Sequence, residues 1–132
     1  MTFLIPLPPR DLSPNARVHW TTKARGVRAY KTDCRCLVRK AICEGLYPTT
    51  RPLFASAVVT LTIIKKRVTG CYLPRDGDNA IASIKAAIDS MTLEGLWQDD
   101  SPQFVTINPP VFETPRRSSK DTGIRVQIEE AD

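Results

Sequence analysis

Between residues 76 and 100 the 132-residue chain places six acids, Asp76, Asp78, Asp89, Glu94, Asp99 and Asp100, around a single base, Lys85. This stretch carries a local charge of −5, whereas the rest of the chain has 18 bases and 8 acids, a balance of +10. Two carboxylates about 4 Å apart repel by on the order of 4 kcal/mol at an effective dielectric near 20. A folded cluster of several therefore calls for a cation or for altered proton affinities. Oxygen ligands from a loop and a helix start suit a hard, magnesium-like ion that keeps some of its waters. Each acid also has an ordinary role open to it. Asp78 could cap a helix, Lys85 and Asp89 could be an exposed i,i+4 pair, and Asp99-Asp100 could be a solvated turn.

Other chemistries are excluded more easily. His19 is the single histidine, so a site built on paired histidines within one chain is ruled out. The cysteines Cys34, Cys36, Cys43 and Cys71 give one C-x-C and no C-x-x-C, a poor zinc spacing, and read as thiols in a reducing compartment. With 42% hydrophobic and 25% charged residues the composition is that of an ordinary globular domain, and residues 1–132 are expected to form one. The opening run Phe3-Leu4-Ile5-Pro6-Leu7 is too short for a signal-peptide core, and no later apolar stretch could span a bilayer. The expectation is a soluble, cytoplasmic protein. A net charge of +5 favours a polyanionic partner without identifying one.

The elements that must position the acids are legible as hydrophobic periods. Thr2 to Leu7 reads as a strand stopped by prolines, and Pro9 to Arg25 as a loop with turn signals from Asp11 to Asn15. Tyr30, Cys34, Leu37, Val38, Ala41 and Ile42 recur at helical spacing over Arg28 to Cys43, and Gly45 and Pro48 supply a stop. Ala55 to Lys66 is a strand rich in β-branched residues. A second helix is expected over Asn79 to Leu93, capped by Asp78 or Asn79, closed by Gly95, and buried along Ile81, Ile84, Ile88 and Met91. Gln103 to Thr114 and Gly123 to Glu130 read as two strands joined by a solvated hairpin loop from Pro115 to Thr122. The order β-α-β-α-β-β predicts an α/β (α+β) domain, a mixed sheet of about four strands with two main helices, most simply on one face. On a continuous second helix, with Asp78 at zero, Lys85 falls at about −20° and Asp89 at about +20°, a narrow polar stripe beside the buried one.

The run Arg75-Asp76-Gly77-Asp78-Asn79, followed by Lys85, Asp89 and Gly95-Leu96-Trp97-Gln98-Asp99-Asp100-Ser101, resembles the R-D-x-D-N … K … D … G-x-x-x-D-D signature of the RusA-like endodeoxyribonucleases, Holliday-junction resolvases of bacteria and their prophages. Pro8-Pro9 and Ser13-Pro14-Asn15 resemble that family's opening P-P-x-x-N pattern, so the likeness runs from about Phe3 to Val126. One departure is plain. The family's lysine follows the second aspartate by four residues, whereas Lys85 follows Asp78 by seven, a spacing that would keep the same helix face.

The resemblance implies a Mg²⁺-dependent endonuclease, with Mn²⁺ as a substitute, that resolves four-way junctions in branched DNA as a symmetric homodimer, without small-molecule cofactor or membrane. Asp76, Asp78 and Asp100 would hold the ion, with Asp99 as the alternative to Asp100. Asp89 would be a further ligand or the partner that aims Lys85, and Lys85 would bind the scissile phosphate or stabilise developing charge. Lys65, Lys66, Arg67 and Arg75 lead into the acid cluster and, with Asn15 and Arg17, would contact DNA. Arg10 to Arg51 holds ten of the 19 bases, and Lys31, Arg35, Arg39 and Lys40 of the first helix would also neutralise phosphates. Trp20 is open between a core anchor and a base-stacking ring, while Trp97 reads as packing that fixes the Asp99-Asp100 turn. Two rivals stand beside this reading: a non-catalytic DNA-binding module, and a related nuclease acting on other branched DNA.

Overall fold

The computed structural model describes residues 1–9, 17, 19–64, 84–113 and 122–131. Seven elements are seen there: β1 (Thr2–Ile5), α1 (Trp20–Glu44), β2 (Ala57–Ile64), α2 (Lys85–Leu93), β3 (Val105–Ile107), β4 (Val111–Glu113) and β5 (Gly123–Glu130). They make the expected α+β domain, with five strands rather than about four. β2 is the central strand. It pairs antiparallel with β5 along its whole length, from Ala57 opposite Glu130 to Ile64 opposite Gly123, and β5 pairs antiparallel with β1.

The alternation expected of Gly123 to Glu130 is present. Ile124, Val126 and Ile128 are buried opposite Ile63, Leu61 and Val59, and Ile5 joins them from β1. The same core takes Tyr30, Cys34, Val38 and Ile42 from α1 and Ala87, Ile88 and Met91 from α2. Each large aliphatic side chain buried in this way contributes roughly 1.5–3 kcal/mol, so one apolar face of the sheet holds both helices.

Four boundaries differ from the sequence reading, each for a physical reason. Instead of a single strand from Gln103 to Thr114 there are two, both parallel to β2: β3 lies against Ala57 to Val59 and β4 against Thr62 to Ile64, so that β2 stands between them and β5 and the expected hairpin with β5 is not formed. Pro109 and Pro110, which have no N–H to give the ladder, lie between them. Asn108 spans the break, its backbone N–H donating to Val59 O at 2.9 Å and its side-chain amide to Thr60 Oγ1 at 3.2 Å.

α1 begins at Trp20, inside the segment expected to be loop. His19 caps it, the ring Nδ1 accepting the Thr21 N–H at 3.3 Å. Imidazole lies outside the Ser/Thr/Asp/Asn set that marks helix starts, so the cap was not visible as a motif. At the other end the left-handed residue of the stop is Leu46 (φ 54°) and not Gly45, with Tyr47 N–H donating to Ile42 O at 3.3 Å.

α2 is shorter than expected at its start. Ile84 has φ −102° and ψ 9°, outside the helical region, and the helix begins at Lys85 with no side-chain cap. The expected cap residues Asp78 and Asn79, and Ile81, lie outside the described residues. The expected helix is thus interrupted at Ile84, and the face shared by Asp78 and Lys85 lies outside the described residues. Lys85 and Asp89, both within α2, keep their i,i+4 relation.

Candidate functional site

The described part of the site is built where α2 starts and where the chain returns after it. Lys85 Nζ stands between two carboxylates, 3.5 Å from Asp89 Oδ1 and 3.4 Å from Asp100 Oδ2. The Asp89 charge, opposed by slight burial and reinforced by Asp100, raises the Lys85 pKa, so its ammonium is fixed in the charged form. Asp89 is shared. Its other oxygen, Oδ2, lies 3.6 Å from Lys31 Nζ on α1, giving the alternating row Lys31, Asp89, Lys85, Asp100.

Asp100 reaches Lys85 from 15 residues away because the chain reverses sharply after α2. Gly95 (φ 81°) is the pivot: its N–H donates to Thr92 O at 3.0 Å and the Leu96 N–H to Met91 O at 3.2 Å, a Schellman closure. A side chain at Gly95 would meet Arg51 Cδ at 2.7 Å as well as an unfavourable backbone. Leu96 and Trp97 then enter the core, and Trp97 Nε1 donates to Thr92 Oγ1 at 2.7 Å. Phe54 N–H donates to Leu96 O at 2.8 Å, tying the return to the segment before β2. Trp97 is thus the packing residue expected of it.

The two neighbouring aspartates do different things. Asp99 Oδ1 accepts the Ser101 N–H at 3.1 Å and closes the turn that leads into β3. Asp100 projects to Lys85, and its carboxyl is held below the usual range by its interaction with the adjacent Asp99 side chain and by the Lys85 ammonium. Beside them Ser101 Oγ is buried with no hydrogen-bond partner among the described residues.

Glu94, counted among the six acids, turns inward instead. Arg35 Nε donates to its Oε1 at 2.6 Å and Arg39 Nε to its Oε2 at 2.8 Å, and only 9% of its side chain is exposed. Burial alone would raise its pKa; the Arg39 and Arg35 contacts outweigh that and hold the carboxyl low. The first-helix bases expected to neutralise phosphates have carboxylate partners within the fold. Lys31, Arg35 and Arg39 are ion-paired with α2 and its C-terminal Glu94, and Lys40 pairs with Glu44 one turn along. Such long-range pairs leave no periodic trace in a sequence. The single hint is a basic i,i+4 pair, Arg35 and Arg39, in the first helix and an acid, Glu94, directly before the Gly95 stop of the second.

Arg17 is described and exposed. Asn15, Lys65, Lys66, Arg67, Arg75, Asp76 and Asp78 lie outside the described residues, so the structure gathers Lys85, Asp89 and Asp100 but does not place the motif's first half. Among the described residues no three His, Cys, Asp or Glu side chains are grouped to hold a metal. The described acids would supply at most part of a ligand set, and the fit is chemical: Asp100 and Asp89 are hard oxygen donors, both partly exposed. Cys34 is buried, its thiol pushed up to about 11 chiefly by that burial, and Cys36 and Cys43 are exposed. Trp20 is not a core anchor, being 74% exposed. No helix among the described residues is long and apolar enough to cross a membrane.

No family model matches the chain. It is 35% identical over 99 residues to an uncharacterized protein of Xylella fastidiosa strain Temecula1, an alignment that takes in 75% of this chain. The chain spans 60% of the length of that relative.

Proposed function

We propose that the chain is a Mg²⁺-dependent, structure-specific DNA endonuclease of the RusA-like kind, acting as a homodimer that nicks opposed strands of a four-way junction. One observation carries the reading. The ordered motif from Arg75 to Ser101 supplies acids at both ends of α2, and Lys85, its lysine, stands in contact with Asp89 and Asp100 together. Each chain offers one such cluster, and paired cuts in a two-fold symmetric junction call for two.

Hydrolysis adds water oxygen to phosphorus and breaks the bond to the 3′ oxygen, which leaves with a proton. Asp76, Asp78 and Asp100, with Asp99 as alternative to Asp100, would hold the ion, and Mn²⁺ would serve in its place. When bound, the ion supplies charge at the phosphate and makes a nearby water more acidic. Lys85 keeps its proton and sets a compact positive charge against the phosphate or the departing oxygen. Asp89 is engaged on both oxygens by Lys85 and Lys31, which suits a residue that aims Lys85 better than one that binds metal. His19 is committed to capping α1, so a bound hydroxide or a carboxylate would serve as the base. Lys65, Lys66, Arg67 and Arg75 would neutralise phosphates on either side of the cut.

A second reading, a non-catalytic DNA-binding module, draws on the same ion pairs, because Lys31 and Lys85 already balance Asp89 and Asp100 without a metal. A nicking assay on a synthetic four-way junction, a flap and a linear duplex, with EDTA and with Mg²⁺, separates them. Paired nicks in the junction are expected with Mg²⁺ alone. Asp76→Asn or Asp78→Asn should abolish cutting while junction binding holds or tightens, since removing an anion beside phosphate lowers repulsion. Binding without cutting by the wild-type chain in Mg²⁺ and in Mn²⁺ would establish the second reading, and preferential flap cleavage would reassign the substrate.

A further inference from the structure

The first three turns of α1 are a part of the molecule that the candidate site does not use. From Arg17 to Thr32 the sequence has five bases and no acid. Lys31 is ion-paired with Asp89, while Arg17, Lys23, Arg25 and Arg28 have no ion-pair partner among the described residues. In their midst Trp20 exposes 74% of its surface, against 1% for Trp97. An indole left in water is not explained by packing; the His19 cap orders the backbone at its foot, and the two rings sit 5.7 Å apart.

Its place relative to α2 follows from the contacts. Lys31 lies beside Asp89, and Arg35 and Arg39 beside Glu94, so the two helices run side by side in the same direction. Eleven residues of α1 precede Lys31 and four of α2 precede Asp89, so α1 overruns the start of α2 by about 10 Å at 1.5 Å per residue. At 100° per residue Trp20, Ala24, Arg28 and Lys31 fall within an arc of about 80°. This row leads from the ion pairs at Asp89 and Lys85 out to the indole.

We propose that this arm of α1 is a DNA-docking face on which Trp20 stacks against an unpaired base while Arg17, Lys23, Arg25 and Arg28 neutralise the flanking phosphates. It rests on the nucleic-acid part of the reading above and needs no catalysis. Four cationic side chains without an ion-pair partner among the described residues match a polyanion in charge. The flat face of an indole matches a base, but only one whose own face is bare, as in a single strand or at a branch point. A protein partner would want a contiguous apolar patch, whereas the only other uncharged side chain in this row is Ala24.

The test is a titration of the full chain in EDTA with fluorescein-labelled oligodeoxythymidylate, oligouridylate and a blunt duplex, affinity read by the anisotropy of the label in every variant and stacking by tryptophan fluorescence with unlabelled strands. Because Trp97 is sealed in the core, quenching on binding reports Trp20. Oligodeoxythymidylate should quench the emission to saturation, and Trp20→Ala should remove the quench and weaken binding roughly five- to a hundredfold, with Trp20→Phe recovering much of it. Arg28→Gln should lower the salt slope of log affinity by about 0.7, one phosphate on a single strand. Circular dichroism of Trp20→Ala should match the wild type, since the residue supports no core contact. Unchanged affinity in Trp20→Ala, or equal Trp20-dependent binding of the duplex or of oligouridylate, would overturn the proposal. Quenching in a chain that cuts no junction in Mg²⁺ would keep this face and end the nuclease reading; junction cutting with Trp20→Ala affinity unchanged would do the reverse.

Discussion

The two halves of α1 carry similar charge and spend it differently. From Lys31 to Lys40 every base has a carboxylate within 4 Å, and the helix is locked against α2. From Trp20 to Arg28 no base is paired among the described residues, and the largest side chain is in water. Basic charge in a sequence therefore does not announce a nucleic-acid surface by its amount. What separates the two regions is whether acids from another element come into reach, and here those acids are Asp89 and Glu94 of the α2 segment.

The two tryptophans give that difference its largest expected effect. Trp97→Ala removes a side chain that fills the core and donates to Thr92 Oγ1, and should cost about 3–5 kcal/mol in urea denaturation. Trp20→Ala should stay within about 0.5 kcal/mol of wild type, as surface changes do. A comparable loss from both would mean that the arm is packed as firmly as the seam, and the contrast would fail.

Glu94 comes next. Glu94→Gln keeps the shape of a largely buried side chain but removes the charge that Arg35 and Arg39 hold, and should cost roughly 1–2 kcal/mol. The pH dependence has a definite sign. The folded-state pKa is lowered, so this stabilisation is complete above the unfolded glutamate pKa and is lost as pH falls through the lower folded value. The stability gap between wild type and Glu94→Gln should therefore be full at neutral pH and shrink in acid. A gap that grew on acidification would contradict the clamp.

These effects also show what could be read before folding. β5 and the core half of α1 were legible because their apolar periods are clean and their burial is one-sided, and the body of β2 because its β-branched run is buried along nearly its whole length. The ends were not. A histidine cap, a left-handed leucine and a pair of prolines inside an apparent strand each shift a boundary through local backbone chemistry that periodicity does not encode. Within the site, Lys85 with Asp89 followed from i,i+4 spacing, and the approach of Asp99-Asp100 followed from Gly95. The division of labour between Asp99 and Asp100 did not, because it depends on which carboxylate the Ser101 N–H captures. The Glu94 clamp joins residues 59 and 55 positions apart and was beyond reach.

Lys85 tests the seam where it meets the candidate site. Its ammonium is about two-thirds exposed, so Lys85→Ala should leave the melting temperature nearly unchanged. On the proposed mechanism single-turnover cleavage of a junction should fall at least about tenfold, equivalent to about 1.4 kcal/mol of barrier, with little change in affinity. Lys85→Arg should recover little, since a planar fork does not replace a compact charge between two carboxylates. Full cleavage rate in Lys85→Ala would reduce Lys85 to the ion-pair partner of Asp89 and Asp100.

The smallest effect sharpens the comparison most, because it separates pairing from position. Lys40 belongs to the paired half of α1, yet its contact with Glu44 is a 3.8 Å surface pair with both side chains about two-thirds exposed. A pair of this kind stabilises a helix by about 0.3–0.5 kcal/mol, so Lys40→Gln should barely move a denaturation midpoint. It should also leave DNA affinity and its salt slope as they were, for two reasons that act together. Glu44 beside it cancels its field on a phosphate, and nine residues of helix place it about 13 Å beyond Lys31, on the side away from Trp20. Arg28→Gln, which changes one charge of the same sign on the same helix, should lower the slope. Equal slopes lost in both variants would show that DNA follows the whole length of α1 and that an exposed ion pair gives way to phosphate. A loss confined to Arg28 would show that the boundary between the two halves, at Lys31 and Asp89, is also the boundary of the docking face.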